Sequence, residues 1–146
     1  MKLVINDCYG GFGLSPKGCK RYLELKGQEA YFYIQTAYKW SDNVMKFERV
    51  DNVDDIDTLF FSCTTYDQGK TISDFPKDTF YSKNLKRNDP TLIQVVEELG
   101  DEASGKCSHL IVVEIENGRW YKIDEYDGYE SVEYRDIDDE WELAEE

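Results

Sequence analysis

The sequence predicts a single α+β domain, mostly an antiparallel sheet of about six to seven strands with two main helices. Three observations lead there. Its 146 residues suit one hydrophobic core. Two segments carry a capping residue, a proline and helical apolar spacing. Short β-rich runs bounded by turn residues fill most of the rest. On this reading residues 1–135 form the domain, and 136–146 are an acidic C-terminal tail, either frayed or docked by Trp141 and Leu143.

Lys2–Asn6 opens the chain as a short buried strand. Cys8-Tyr9-Gly10-Gly11-Phe12-Gly13 follows, and three glycines in four residues demand a turn or a close backbone approach. Ser15-Pro16 then starts a helix, with Cys19, Tyr22 and Leu23 on its apolar face and Gly27 as its stop. Ala30–Trp40 reads as a strand with Phe32, Ile34 and Tyr38 on one face and Tyr31 and Tyr33 on the other. Ser41-Asp42-Asn43 turns it into a returning strand at Met45–Val50.

An acidic connector, Asp51–Asp57, leads to a strand at Thr58–Thr65, and Tyr66–Lys86 reads as a long surface loop. Asp89-Pro90 begins the second helix, where Leu92, Val95, Val96 and Leu99 fall at i, i+3, i+4 and i+7 before Gly100. Beyond a loop, Leu110–Val113 is expected to be a central strand. Asn117-Gly118 and Asp127-Gly128 are tight-turn pairs, so His109–Glu116, Arg119–Tyr126 and Tyr129–Arg135 read as a three-strand meander.

Composition narrows the function classes. Hydrophobic residues at 40% and aromatics at 14% are too many for a disordered chain, and no apolar run approaches the roughly 18–20 residues of a membrane span. The start lacks the pattern of a secretory signal, so a cytoplasmic location is expected. Cys8, Cys19, Cys63 and Cys107 include no close pair and His109 is the only histidine, so neither a metal nor a cofactor is expected. The net charge is −14, and fourteen of the 31 acids lie from Glu114 onward against only Arg119, Lys122 and Arg135. Such a surface repels nucleic acids and membranes and attracts basic proteins.

Three candidate sites follow. The acidic hairpin region offers Trp120, Asp124, Tyr126, Asp127, Tyr129, Glu130 and Glu133, aromatics among carboxylates, as a face for a basic protein partner. The alternative account of those aromatics is cross-strand support of a twisted sheet. Tyr9, Gly10, Gly11, Phe12 and Gly13, followed by a helix N-terminus, offer a cradle for a nucleotide or other anion. Their spacing matches no established nucleotide-binding motif, and a tight connection pinned into the core by Cys8, Tyr9 and Phe12 is the better account of them. Cys8 with His109 would supply a thiol nucleophile and its base, provided the fold brings them together.

Val4-Ile5-Asn6-Asp7-Cys8-Tyr9-Gly10-Gly11-Phe12, the segment Arg87–Gly100 and Ile123-Asp124-Glu125-Tyr126-Asp127-Gly128-Tyr129-Glu130 together resemble a family of small phage and prophage proteins of unassigned activity. The resemblance implies an accessory protein acting in a bacterial host cytoplasm, and it carries over no catalytic residue. Acidity in that class implies interference with a host defence protein. The expectation is therefore a binding protein that occupies a basic host surface, with nucleotide sequestration as the alternative and a Cys8 thiol enzyme as a second one.

Overall fold

The computed structural model describes residues 1–39, 44–58, 60–135 and 142–145. Two helices and nine strands are found among them, the strands arranged in three antiparallel sheets of an α+β fold. Strands β1 (Lys2–Asn6) and β6 (Leu110–Glu114) form a two-stranded sheet. The second sheet has the order β4 (Ser62–Thr64), β2 (Tyr31–Lys39), β3 (Val44–Val50), β5 (Thr71–Ile72). The third sets β7 (Trp120–Tyr126) between β8 (Tyr129–Arg135) and β9 (Glu142–Leu143).

The β1–β6 pair divides the interior. Val4 and Leu110 enter a larger cluster with Cys19, Tyr22 and Leu23 of α1 (Pro16–Leu25) and Leu92, Val95 and Val96 of α2 (Pro90–Leu99). Leu3 belongs instead to a smaller cluster with Met1, Ile115, Tyr121 and Ala144. Strand alternation sends successive side chains to opposite sides, so one strand feeds both clusters. Each fully buried aliphatic side chain contributes about 1.5–3 kcal/mol.

The helix ends follow their sequence signals. Ser15 Oγ accepts from the Gly18 N–H at 3.0 Å, and an Asp89 carboxylate oxygen accepts from the Thr91 N–H at 2.8 Å. Asp89 also receives the Tyr22 hydroxyl at 2.6 Å, so the cap of α2 is tied to the buried face of α1.

Several expectations are corrected. The meander does not form with three consecutive strands. β6 pairs with β1, and Asn117-Gly118 is a corner whose Gly118 N–H donates to Ala144 O at 3.0 Å. The ladder from β1 runs on through Ile115 N–H to Met1 O at 2.7 Å, which commits β6 to β1 beyond its last strand residue. β9 occupies the edge of β7 that β6 was expected to take. Residues 142–145 of the expected tail are thus built into the fold, with Ala144 wholly buried, whereas Trp141 lies outside the described residues. β6 is consequently the edge of a two-stranded sheet rather than a central strand.

The strand expected over Thr58–Thr65 shortens to Ser62–Thr64, because the Thr58 hydroxyl accepts from the Phe60 N–H at 3.1 Å and turns the chain. The long loop 66–86 contains β5 and a short 3-10 turn at Ser82–Asn84. It lies against the sheet: the Tyr33 hydroxyl accepts from the Gln68 N–H at 2.8 Å, and Phe75 sits on Phe47 at 5.2 Å. Tyr33 is therefore as buried as Phe32, and both faces of β2 are covered at that point. The turn expected at Ser41-Asp42-Asn43 lies outside the described residues.

Candidate functional site

The glycine turn and the β7–β8 hairpin, two separate candidates in the sequence, meet in space. Asn6, wholly buried at the end of β1, is the joint. Its side-chain amide donates to Cys8 O and to Gly128 O, both at 2.7 Å, and its side-chain oxygen accepts from the His109 N–H at 2.8 Å. One residue thus ties the turn after β1, the tip of the hairpin and the start of β6 together.

Glycine permits that approach. A Cβ on Gly128 would lie 2.2 Å from Gly11 N, and a Cβ on Gly10 would lie 2.6 Å from Cys107 O. The hairpin tip is tight, with positive φ at both Asp127 and Gly128, and Asp127 O accepts from the Gly10 N–H at 3.2 Å.

A buried ion pair completes the joint. Glu130 is only 8% exposed. One carboxylate oxygen accepts from the Asn6 N–H at 2.9 Å, and the other faces Arg87 Nη2 at 3.3 Å. Arg87 also lies over the Phe12 ring, 3.5 Å from its centroid, and its carbonyl accepts from the Val4 N–H at 2.8 Å. Glu130, expected on the partner-binding face, is thereby corrected to a residue that fastens the hairpin to β1. The register explains the difference. Glu130 lies opposite Glu125 and shares the inward side with Tyr121, Ile123 and Val132, whereas Trp120, Asp124, Tyr126, Tyr129 and Glu133 share the other.

On that outer side three tyrosines gather. The Tyr9 ring lies 5.2 Å from Tyr129 and 6.5 Å, nearly edge-on, from Tyr126. Tyr9 and Tyr126 are 62% and 75% exposed, so Tyr9 is not pinned into the core as the compact-turn account expected. The Tyr129 hydroxyl donates to Asp7, and that hydrogen bond raises its pKa above the ordinary phenol value. Asp124 and Asp127 are exposed beside the cluster, with Glu133, opposite Lys122, and half-buried Trp120 farther along the same face. Exposed aromatic rings rimmed by carboxylates can receive a guanidinium or ammonium by stacking and by charge.

The anion cradle fares differently. The Gly10 N–H is directed at Asp127 O, the Leu14 N–H at Ser82 Oγ and the Ser15 N–H at Ala103 O. Within the turn expected to face an anion, the Gly10 N–H is thus bonded inside the protein, as are the next amides beyond it, those of Leu14 and Ser15. A surface pocket of about 390 Å³ lies beside Gly10–Pro16, lined on its other side by Phe61 and Lys106. Lys106 is held by the Asp57 carboxylate at 2.8 Å.

Cys8 and His109 lie on neighbouring chain segments without a hydrogen bond between them. The Cys8 thiol is directed at Tyr9 O at 3.3 Å, while the ring nitrogens of His109 lie 3.9 Å from Asp7 and 3.5 Å from Asp101. Among the described residues no group of three or more His, Cys, Asp and Glu side chains could hold a metal ion, and no helix is long and apolar enough to cross a membrane.

Asn6, Asp7 and Arg87 were not singled out as site residues from sequence. The available signal was a polar residue, Asn6, ending an otherwise apolar strand directly before a glycine-rich turn. Comparison with protein-family models, with curated proteins and with solved structures finds no match.

Proposed function

We propose that this chain is a small phage or prophage accessory protein that binds a basic surface of a bacterial host protein, in a counter-defence role. The observation that carries the reading is the Tyr9–Tyr126–Tyr129 cluster, with Tyr9 and Tyr126 exposed, flanked by Asp124 and Asp127 and with Glu133 farther along the face, on a hairpin whose opposite side is locked down by Glu130. A rigid aromatic patch loses little conformational entropy on binding, and the carboxylates speed and orient encounter with a cationic surface. The resemblance to phage-encoded proteins supports placing that partner in the host, and the acidity of the face supports a groove that otherwise holds nucleic acid.

The test is an affinity capture from bacterial lysate at low and high salt, with the wild-type chain and a variant carrying Tyr126→Ser, Asp124→Asn, Asp127→Asn and Glu133→Gln. A basic protein retained at low salt, released at high salt and at least tenfold depleted by the variant is the expected result. Equal capture by the two chains would remove the hairpin face from the account.

A further inference from the structure

Among the described residues, the β1–β6 sheet is closed along the β1 side and has no strand paired along the β6 side. β1 and β6 exchange hydrogen bonds at Leu3, Ile5 and their opposite residues Val113 and Ile111, a phase set by Asp7 N–H to His109 O and Ile115 N–H to Met1 O. The amides of Val4 and Asn6 therefore point away from β6, and Arg87 O and Glu130 satisfy them. On β6 the amides of Leu110, Val112 and Glu114 point away from β1 in the same manner. Ser104 Oγ takes the first at 2.9 Å. Val112 and Glu114 have no backbone partner on that side among the described residues, and β6 pairs with no strand other than β1.

Several of the usual protections of an edge are missing, although the strand is short and Glu114 puts a charge at its end. The strand reads Leu-Ile-Val-Val-Glu, with no proline, no lysine and an unbroken register, and Ile111, Val112 and Val113 are all partly exposed. Carboxylates stand at both of its ends. Glu114 and Glu116 lie at one, and Asp101, facing His109, lies at the other with Glu102 beside it; all four are exposed.

We propose that β6 is a strand-addition site, which takes an extended, apolar-centred segment of a partner protein with a lysine or arginine at each end. Backbone bonds to Val112 and Glu114 would supply the pairing, and the terminal cations would face the two carboxylate groups. At about 3.4 Å per residue those cations stand some six residues apart. A second copy of this chain is the poorer occupant. Antiparallel self-pairing would bring the carboxylates of one end against those of the other, between chains that each carry −14. The proposal stands apart from the hairpin face and does not depend on it.

Amide hydrogen exchange read by NMR tests it, with the acetylated peptide Lys-Val-Thr-Val-Thr-Val-Lys-amide as the probe. In the free protein, Ile111 and Val113 are expected to be protected and Val112 and Glu114 to exchange freely. The peptide is expected to slow Val112 and Glu114 at least tenfold, whereas the same peptide N-methylated at alternate amides, with identical charge, does nothing. Val112→Pro leaves the β1 ladder intact, because that N–H points outward, and is expected to abolish the effect. The proposal is overturned if Val112 and Glu114 are already as protected as their neighbours, or if both peptides act alike. Protection that rises with protein concentration in the absence of peptide would also overturn it, in favour of self-pairing.

Discussion

The two sides of the β1–β6 sheet are held by different physics. On one side α1 and α2 close over an apolar cluster, and their polar contacts stay near the rim. Arg21 meets Glu98 at 2.8 Å across the helices, an exposed pair that adds at most about 1 kcal/mol. On the other side the hairpin rests on a smaller cluster and is fixed by Asn6, Glu130 and Arg87 together with glycines in backbone contact. The helical side resembles an ordinary small core. The hairpin side depends on directional bonds, which fix the position of an exposed face more tightly than apolar contact does. The proposed binding face lies on the polar-jointed side.

Mutations can break the comparison, beginning with the largest effect. Leu92→Ala on the helical side removes a fully buried side chain and should cost about 3–4 kcal/mol in a denaturant melt. Glu130→Ala on the hairpin side leaves Arg87 and the Asn6 N–H without their carboxylate and should cost about 3 kcal/mol, although little apolar surface is lost. A cost below about 1 kcal/mol would mean that the Glu130 carboxylate is not what fastens the hairpin. Gly128→Ala should cost about 2 kcal/mol or more, because a side chain at φ +86° would also meet the Gly11 backbone. Its sharper signature is loss of the Tyr9–Tyr126 contact, seen as ring chemical-shift changes confined to those residues.

The smallest effect is a pH slope. Burial, aided by the hydrogen bond to Glu142, pushes the Tyr121 phenol up to about 12 from an ordinary value near 10. Between those values the unfolded chain releases the proton and the folded chain keeps it. Stability from this group is therefore fully present below pH 10 and is lost as pH rises toward 12. Tyr121→Phe should flatten that part of the melting-temperature profile; an unchanged slope would place Tyr121 in solvent contact.

The helical side was legible in the sequence because its signals are local. Ser15-Pro16, Asp89-Pro90 and the spacing of Leu92, Val95, Val96 and Leu99 each mark a feature within one turn of chain. The hairpin side was legible only in fragments. Asp127-Gly128 announced its own turn, but Asn117-Gly118 announces a reversal without saying which strand receives the chain. Here Ile115 stays on the β1 ladder, and residues 142–143 arrive from farther along the sequence. Alternation from Trp120 separates the two faces of β7 in the same way as its register with β8. Glu130 was misplaced because counting carboxylates does not reveal which one meets Arg87, forty-three residues earlier. Contact between the glycine turn and the hairpin has only Asn6 as a local signal, a polar residue ending an apolar strand, and nothing in the sequence says that its amide reaches Gly128.

The central claim is that the Tyr126 face of the hairpin contacts a basic host protein. It is tested most directly by placing a photo-crosslinking phenylalanine analogue at position 126 in bacterial cells, with position 75 on the β3–β5 side as the comparison. The account predicts an adduct with a basic protein from position 126 and none from position 75. It further predicts that the adduct is lost when Asp124→Asn and Glu133→Gln are combined. Equal adducts from the two positions, or an adduct indifferent to those carboxylates, would contradict it.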